Sequence, residues 1–77
     1  MAYRHKKKQY VVCISNEGYR VSLVLRRIYE CLPDLDAEKR NLLRVIDESS
    51  EDYLYPSEMF VVIRLPEAAG KAFAVAR

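Results

Sequence analysis

Apolar residues fall in short runs separated by turn-forming residues, and this spacing predicts a small protein built mainly from strands. Residues 10–14 (YVVCI) form a continuous apolar run rich in β-branched side chains. The run is bounded by SNEG, in which Asn16 and Gly18 tolerate positive φ. Segment 19–32 is ambiguous. Val21, Leu25, Ile28 and Leu32 would align on one face of a helix, whereas Tyr19, Val21, Val24, Ile28 and Tyr29 favour strands. We read two short extended pieces with a bend at Leu25, Arg26 and Arg27; the alternative is a helix over about 20–32. LPDLDAEKRN predicts a loop with one helical turn started by Asp36. Further on, LLRVIDE reads as a strand, SSED as a turn, YLYP as the paired strand, SEM as a tight turn and FVVIRL as a last strand. Pro66 and Glu67 suit the first turn of a C-terminal helix continued by EAAGKAFAVA. Gly70 weakens that helix by ~1 kcal/mol relative to Ala.

Short strands at close spacing with one short terminal helix predict a mainly β fold, a small five-stranded barrel. The alternative, with a real helix at about 20–32, is an α+β fold. The expected organisation is a basic arm over 1–8, the barrel over 9–66 and a short helix or tail over 67–77.

The chain has 77 residues, 51% of them hydrophobic, which fits one compact domain and argues against disorder. Charge changes the picture more. Four of the thirteen basic residues (Arg4, Lys6, Lys7 and Lys8) lie in the first eight positions, leaving nine against eleven acids in the body. Nucleic acid is therefore expected only at the arm. No apolar run is long enough to cross a bilayer and no long apolar stretch follows the basic start, so no membrane contact and a cytoplasmic location are expected. Cys13 and Cys31 sit in apolar runs and read as buried free thiols. With one His (His5) and no CxxC or HxxH spacing, no metal site or cofactor is expected.

The densest candidate chemistry is RVIDESSEDYLYPSEMFVVIRLP, with Asp47, Glu48, Glu51, Asp52 and Glu58, followed by Glu67. A calcium loop fails because Asp52 stands where Gly is needed, Pro56 falls inside the loop, and neither flank is a helix. A catalytic carboxylate pair needs two acids held in a cleft, and no nucleophile–base set accompanies these. The reading that fits is a solvated hairpin turn, with Ser49 and Ser50 supplying turn hydrogen bonds. In an extended YLYP, Tyr53 and Tyr55 share one face and Leu54 takes the other. The tyrosines either line the core or form a display surface, and the pattern leaves both open.

DYLYPSEMFVVI resembles the end of an SH3-like domain, where a strand leads through Pro-Ser and a tight turn to an aromatic-Val and a last strand. Pro56-Ser57 and Phe60-Val61 carry that resemblance. One extra residue separates Ser57 from Phe60, the aromatic lacks a hydroxyl, and no Trp is present to form the usual groove for proline-rich peptides. A fuller resemblance runs through YVVCISNEGYRVSL, RRIYECLPD and RVIDESSEDYLYP, which look like a set of short uncharacterised bacterial proteins with Gly where Ser50 stands. That resemblance implies a bacterial cytoplasmic protein with an SH3-like fold, and no catalytic residues.

The leading expectation is a non-enzymatic module that binds another protein through Arg26, Arg27, Tyr29, Tyr53 and Tyr55. The runner-up is nucleic-acid binding through Arg4, Lys6, Lys7 and Lys8, flanked by tyrosines able to stack on bases. A second copy of the chain, pairing at a sheet edge, is the third candidate partner.

Overall fold

The computed structural model describes residues 9–66. The expected basic arm, with His5, and the expected C-terminal helix, with Glu67 and Gly70, lie outside them. Five strands form one antiparallel sheet: β1 (Gln9–Cys13), β2 (Ile28–Leu32), β3 (Leu42–Ile46), β4 (Asp52–Pro56) and β5 (Phe60–Ile63). Their order is β4-β3-β2-β1-β5, so first and last strands are neighbours while β4 and β5 are the two edges. Among the described residues, hydrogen bonds do not close the sheet into a barrel. The one α-helix among the described residues is α1 (Leu35–Lys39).

Register explains the core. Val11 stands opposite Tyr29 and Val62, Cys31 opposite Val45, Val45 opposite Tyr53, and Leu43 opposite Tyr55. Side chains alternate across a strand, so one face gathers Val11, Cys13, Tyr29, Cys31, Val45, Tyr55 and Phe60. These residues, with Leu23 and Met59, form the buried cluster. Cys31 lies opposite Gln9, four residues along β1 from Cys13, which separates the thiols by about 13 Å, well beyond disulfide reach. Both thiols are free and buried, as their apolar runs predicted.

Segment 19–32 follows the extended reading in its bend at Leu25 and Arg26 and in its second piece, and departs from it before them. The helix over 20–32 does not form, and only the second extended piece, β2, is a strand. Residues 19–27 are turns instead. Asn16 O accepts from Tyr19 N at 2.8 Å, and Tyr19 O accepts from Ser22 N at 3.0 Å and from Leu23 N at 2.9 Å. Positive φ at Gly18 (88°) and Arg26 (65°) interrupts any regular element. The helical turn expected from Asp36 begins earlier. Asp34 caps it, its Oδ1 accepting from Ala37 N at 3.0 Å, and the buried Ala37 packs it against the domain. A single 3₁₀ turn (Ser57–Met59) follows β4, as SEM suggested, and sends the chain into β5.

Candidate functional site

The chemistry of this chain concentrates where the 14–27 loop meets the hairpin joining β3 to β4. Leu23 anchors the loop: it is completely buried, while Tyr19, Val21, Val24 and Leu25 around it are exposed, Val21 to 93%. Asn16 spans the loop, its Nδ2 donating to Leu23 O at 2.9 Å. At its base, Arg26 N donates to Cys13 O at 2.7 Å and Cys13 N to Arg27 O at 3.0 Å, extending the β1–β2 pairing. Glu48 N donates to Ser22 O at 3.0 Å, which ties the loop to the hairpin. A loop whose backbone groups are bonded this densely holds one shape.

Two buried tyrosines reinforce the joint. Tyr29 hydroxyl accepts from Val24 N at 2.7 Å and donates to Glu48 Oε2. Glu48 also takes Arg27, whose Nη1 lies 3.2 and 3.1 Å from its two oxygens. Burial and the Glu48 hydrogen bond push the Tyr29 pKa well above its ordinary value, so this hydroxyl stays a donor. Tyr55 hydroxyl donates to Asp47 Oδ2 at 2.5 Å, and burial together with that bond raises its pKa to about 12. Asp47 is 6% exposed, and its Oδ1 also accepts from Ser49 N at 2.8 Å and Ser49 Oγ at 2.6 Å. Burial pushes the Asp47 pKa up, but the hydrogen bonds from Ser49 and Tyr55 outweigh it and hold the carboxyl below the usual range.

Between loop and hairpin lies an open cleft of about 370 Å³, lined by Tyr19, Ser22, Asp47, Ser49, Tyr53, Leu54 and Tyr55. The Tyr19 and Tyr55 rings stand at 85° to each other with centroids 5.0 Å apart. Tyr53 is half exposed, and its hydroxyl donates to Glu51 Oε1 at 3.0 Å. The remaining hairpin acid, Asp52, takes Arg44 Nη1 at 2.9 Å, while Arg44 Nε reaches Asp34 Oδ2 at 2.8 Å.

Of the residues singled out in the sequence, Arg27 and Tyr29 meet at Glu48, and Tyr53 and Tyr55 meet in the cleft. Tyr29 and Tyr55 lie in the core, whereas Arg26, Arg27 and Tyr53 are exposed. Arg4, Lys6, Lys7 and Lys8 lie outside the described residues. Sequence reasoning missed Asp47 as the cleft floor and Tyr19 as a wall. A short-range signal existed for Asp47 alone, since an Asp two residues before a Ser favours a side-chain-to-backbone turn. Among the described residues no three His, Cys, Asp or Glu side chains group as metal ligands, and no helix is long and apolar enough to cross a membrane. No family model, curated protein or solved structure matches this chain, so its site is read from its own residues.

Proposed function

We propose that this protein is a non-enzymatic protein-interaction module of SH3-like architecture that presents its 14–27 loop to a partner. The observation that carries the reading is the loop itself: five large apolar side chains, Ile14, Tyr19, Val21, Val24 and Leu25, stand exposed on a backbone fixed from both ends. Exposed apolar side chains on a rigid loop contribute to association with little ordering cost. Arg26 and the Glu48-paired Arg27 border them, and Tyr53 lies across the cleft, which gives the polar rim typical of such surfaces. Strand β4 runs through Pro56 into a single 3₁₀ turn and on to β5 beside β1, which supports the SH3-like reading.

Recovery of cross-linked partners from the native host tests this. Val21→Asp is expected to reduce recovery of the same protein about tenfold, as for a central interface residue, and Tyr53→Ala, at the rim, by about twofold to threefold. Leu35→Asp, an exposed site on α1, serves as the control and is expected to leave it unchanged. Equal recovery with all three variants would remove the loop from the interface.

A further inference from the structure

The cleft has a property that the interaction-module reading does not use. Residues 47–52 hold four carboxylates and no basic side chain. Two are neutralised by cations, Glu48 by Arg27 and Asp52 by Arg44. The other two are held by hydroxyls and amides: Asp47 by Tyr55 and by Ser49 Oγ and N, and Glu51 by Tyr53. Among the described residues neither has an ion-pair partner closer than 4.0 Å. Asp47 lines the cleft itself, where the low-dielectric walls formed by Tyr19, Tyr53 and Tyr55 focus its field, and Glu51 is tied to one of those walls through the Tyr53 hydroxyl.

The geometry selects among cations. A metal ion needs several free oxygens, and a guanidinium fork needs both oxygens of one carboxylate. Asp47 satisfies neither: hydrogen bonds occupy both lone pairs of Oδ1, and Oδ2, which already accepts one, keeps a single lone pair on a side chain that is 6% exposed. What remains is a fixed negative charge beside tyrosine rings, two of them nearly perpendicular. A cation that brings no N–H donors, only a diffuse charge on a methylated surface, fits these walls.

We propose that the cleft lined by Tyr19, Tyr53, Tyr55 and Asp47 binds an alkylammonium group, either a small quaternary amine or a methylated lysine side chain. The inference goes beyond the interaction-module reading and does not depend on it, because a small cation tests it without any partner.

The test is an NMR titration of the full chain with choline, against sodium chloride at matched ionic strength, following the tyrosine ring protons. Choline is expected to shift Tyr19, Tyr53 and Tyr55. Its uncharged isostere, with carbon in place of nitrogen, is expected not to. Tyr53→Ala should weaken binding about threefold to fivefold and Glu51→Gln about twofold, while Tyr53→Phe, which keeps the ring, should retain most of it. These exposed positions spare the core, so folding does not confound the comparison. A trimethyllysine peptide separates the two sources. Binding at least about tenfold tighter than choline assigns the ligand to a polypeptide, and equal binding assigns it to a small amine; both support the site. Equal shifts from the isostere, or choline shifts absent from the three tyrosines, would overturn it. Val21→Asp should leave choline binding unchanged, so failure of the loop as an interface would not be mistaken for failure of the cleft.

Discussion

Tyr55→Phe is the sharpest perturbation of this structure because it removes one oxygen and little else. The ring keeps its edge contacts with Tyr19 and Phe60, at centroid distances of 5.0 and 6.1 Å. What disappears is the donor 2.5 Å from Oδ2 of a carboxylate that is 6% exposed. A hydrogen bond to a buried charge contributes about 2 kcal/mol, so the variant should lose that much at neutral pH and melt some 8–16 °C lower. Acid should erase most of the difference. The folded pKa of Asp47 is depressed, so its ionised form stabilises the fold above the ordinary carboxylate pKa, and this contribution is lost as pH falls through the lower folded value. Alkali acts through the tyrosine. Its folded pKa of about 12 exceeds the ordinary value of 10.0, so its stabilisation holds below that value and is lost as pH rises from there toward 12. The Phe variant should lack this alkaline phase. Urea melts of wild type, Tyr55→Phe, Asp47→Asn and the double variant at about pH 3, 7 and 11 would measure the coupling. A loss below about 0.5 kcal/mol at pH 7 would refute the charge-based account.

Three further outcomes are expected. Leu23→Ala should cost ~3 kcal/mol, because the side chain is completely buried, and amide exchange should accelerate across the 14–27 loop more than in β3; uniform acceleration would mean that Leu23 does not anchor the loop specifically. Ser50 has φ of 71°, a left-handed conformation that favours Gly, so Ser50→Gly should stabilise by ~0.5–1 kcal/mol in urea melts, and a destabilised variant would contradict this. Cys13 and Cys31 should resist a thiol-specific disulfide reagent in the native state and react in denaturant, because burial raises both pKa values, that of Cys31 to about 11; rapid native labelling would contradict their placement.

Much of the sheet is legible in the chain because each strand is a short apolar run with local turn chemistry at its ends. Val11 and Cys13, or Tyr53 and Tyr55, share a face by period alone. The 19–27 loop escaped the same logic because its backbone is satisfied by distant groups. Tyr29 hydroxyl holds Val24 N, and Glu48 N reaches Ser22 O from the far hairpin. Its apolar residues therefore signal neither helix nor strand, since only Leu23 enters the core. The helix start was misplaced for a related reason. Asp34 and Asp36 are equal candidates by residue type, but Arg44 on β3 holds Oδ2 of Asp34 at 2.8 Å and leaves Oδ1 to cap Ala37 N. That choice is made by tertiary contact.

The acidic hairpin shows where sequence reading stops and why. Locally, IDESSEDYL reads as a hairpin tip, and residues 48–51 form the turn between β3 and β4. A solvated turn, however, would leave its carboxylates equivalent, and here each has a separate partner. Tyr55 takes Asp47 across 8 positions, Tyr29 takes Glu48 across 19, and Arg27 takes the same Glu48 across 21. The last two separations exist only once the sheet has formed, so no short window of residues contains them. They also sort the charges. A count along the chain gives a slightly acidic body but cannot say which acids are neutralised. The pairings do: arginines cancel Glu48 and Asp52, while hydroxyl and amide donors hold Asp47 and Glu51 in place with their charge intact. Hydrogen bonds from neutral donors fix a charge without cancelling it, which distinguishes a tyrosine partner from an arginine partner. The sign of the cleft follows from that difference, and so does the prediction that a methylated cation shifts its tyrosines while an uncharged isostere of equal size does not.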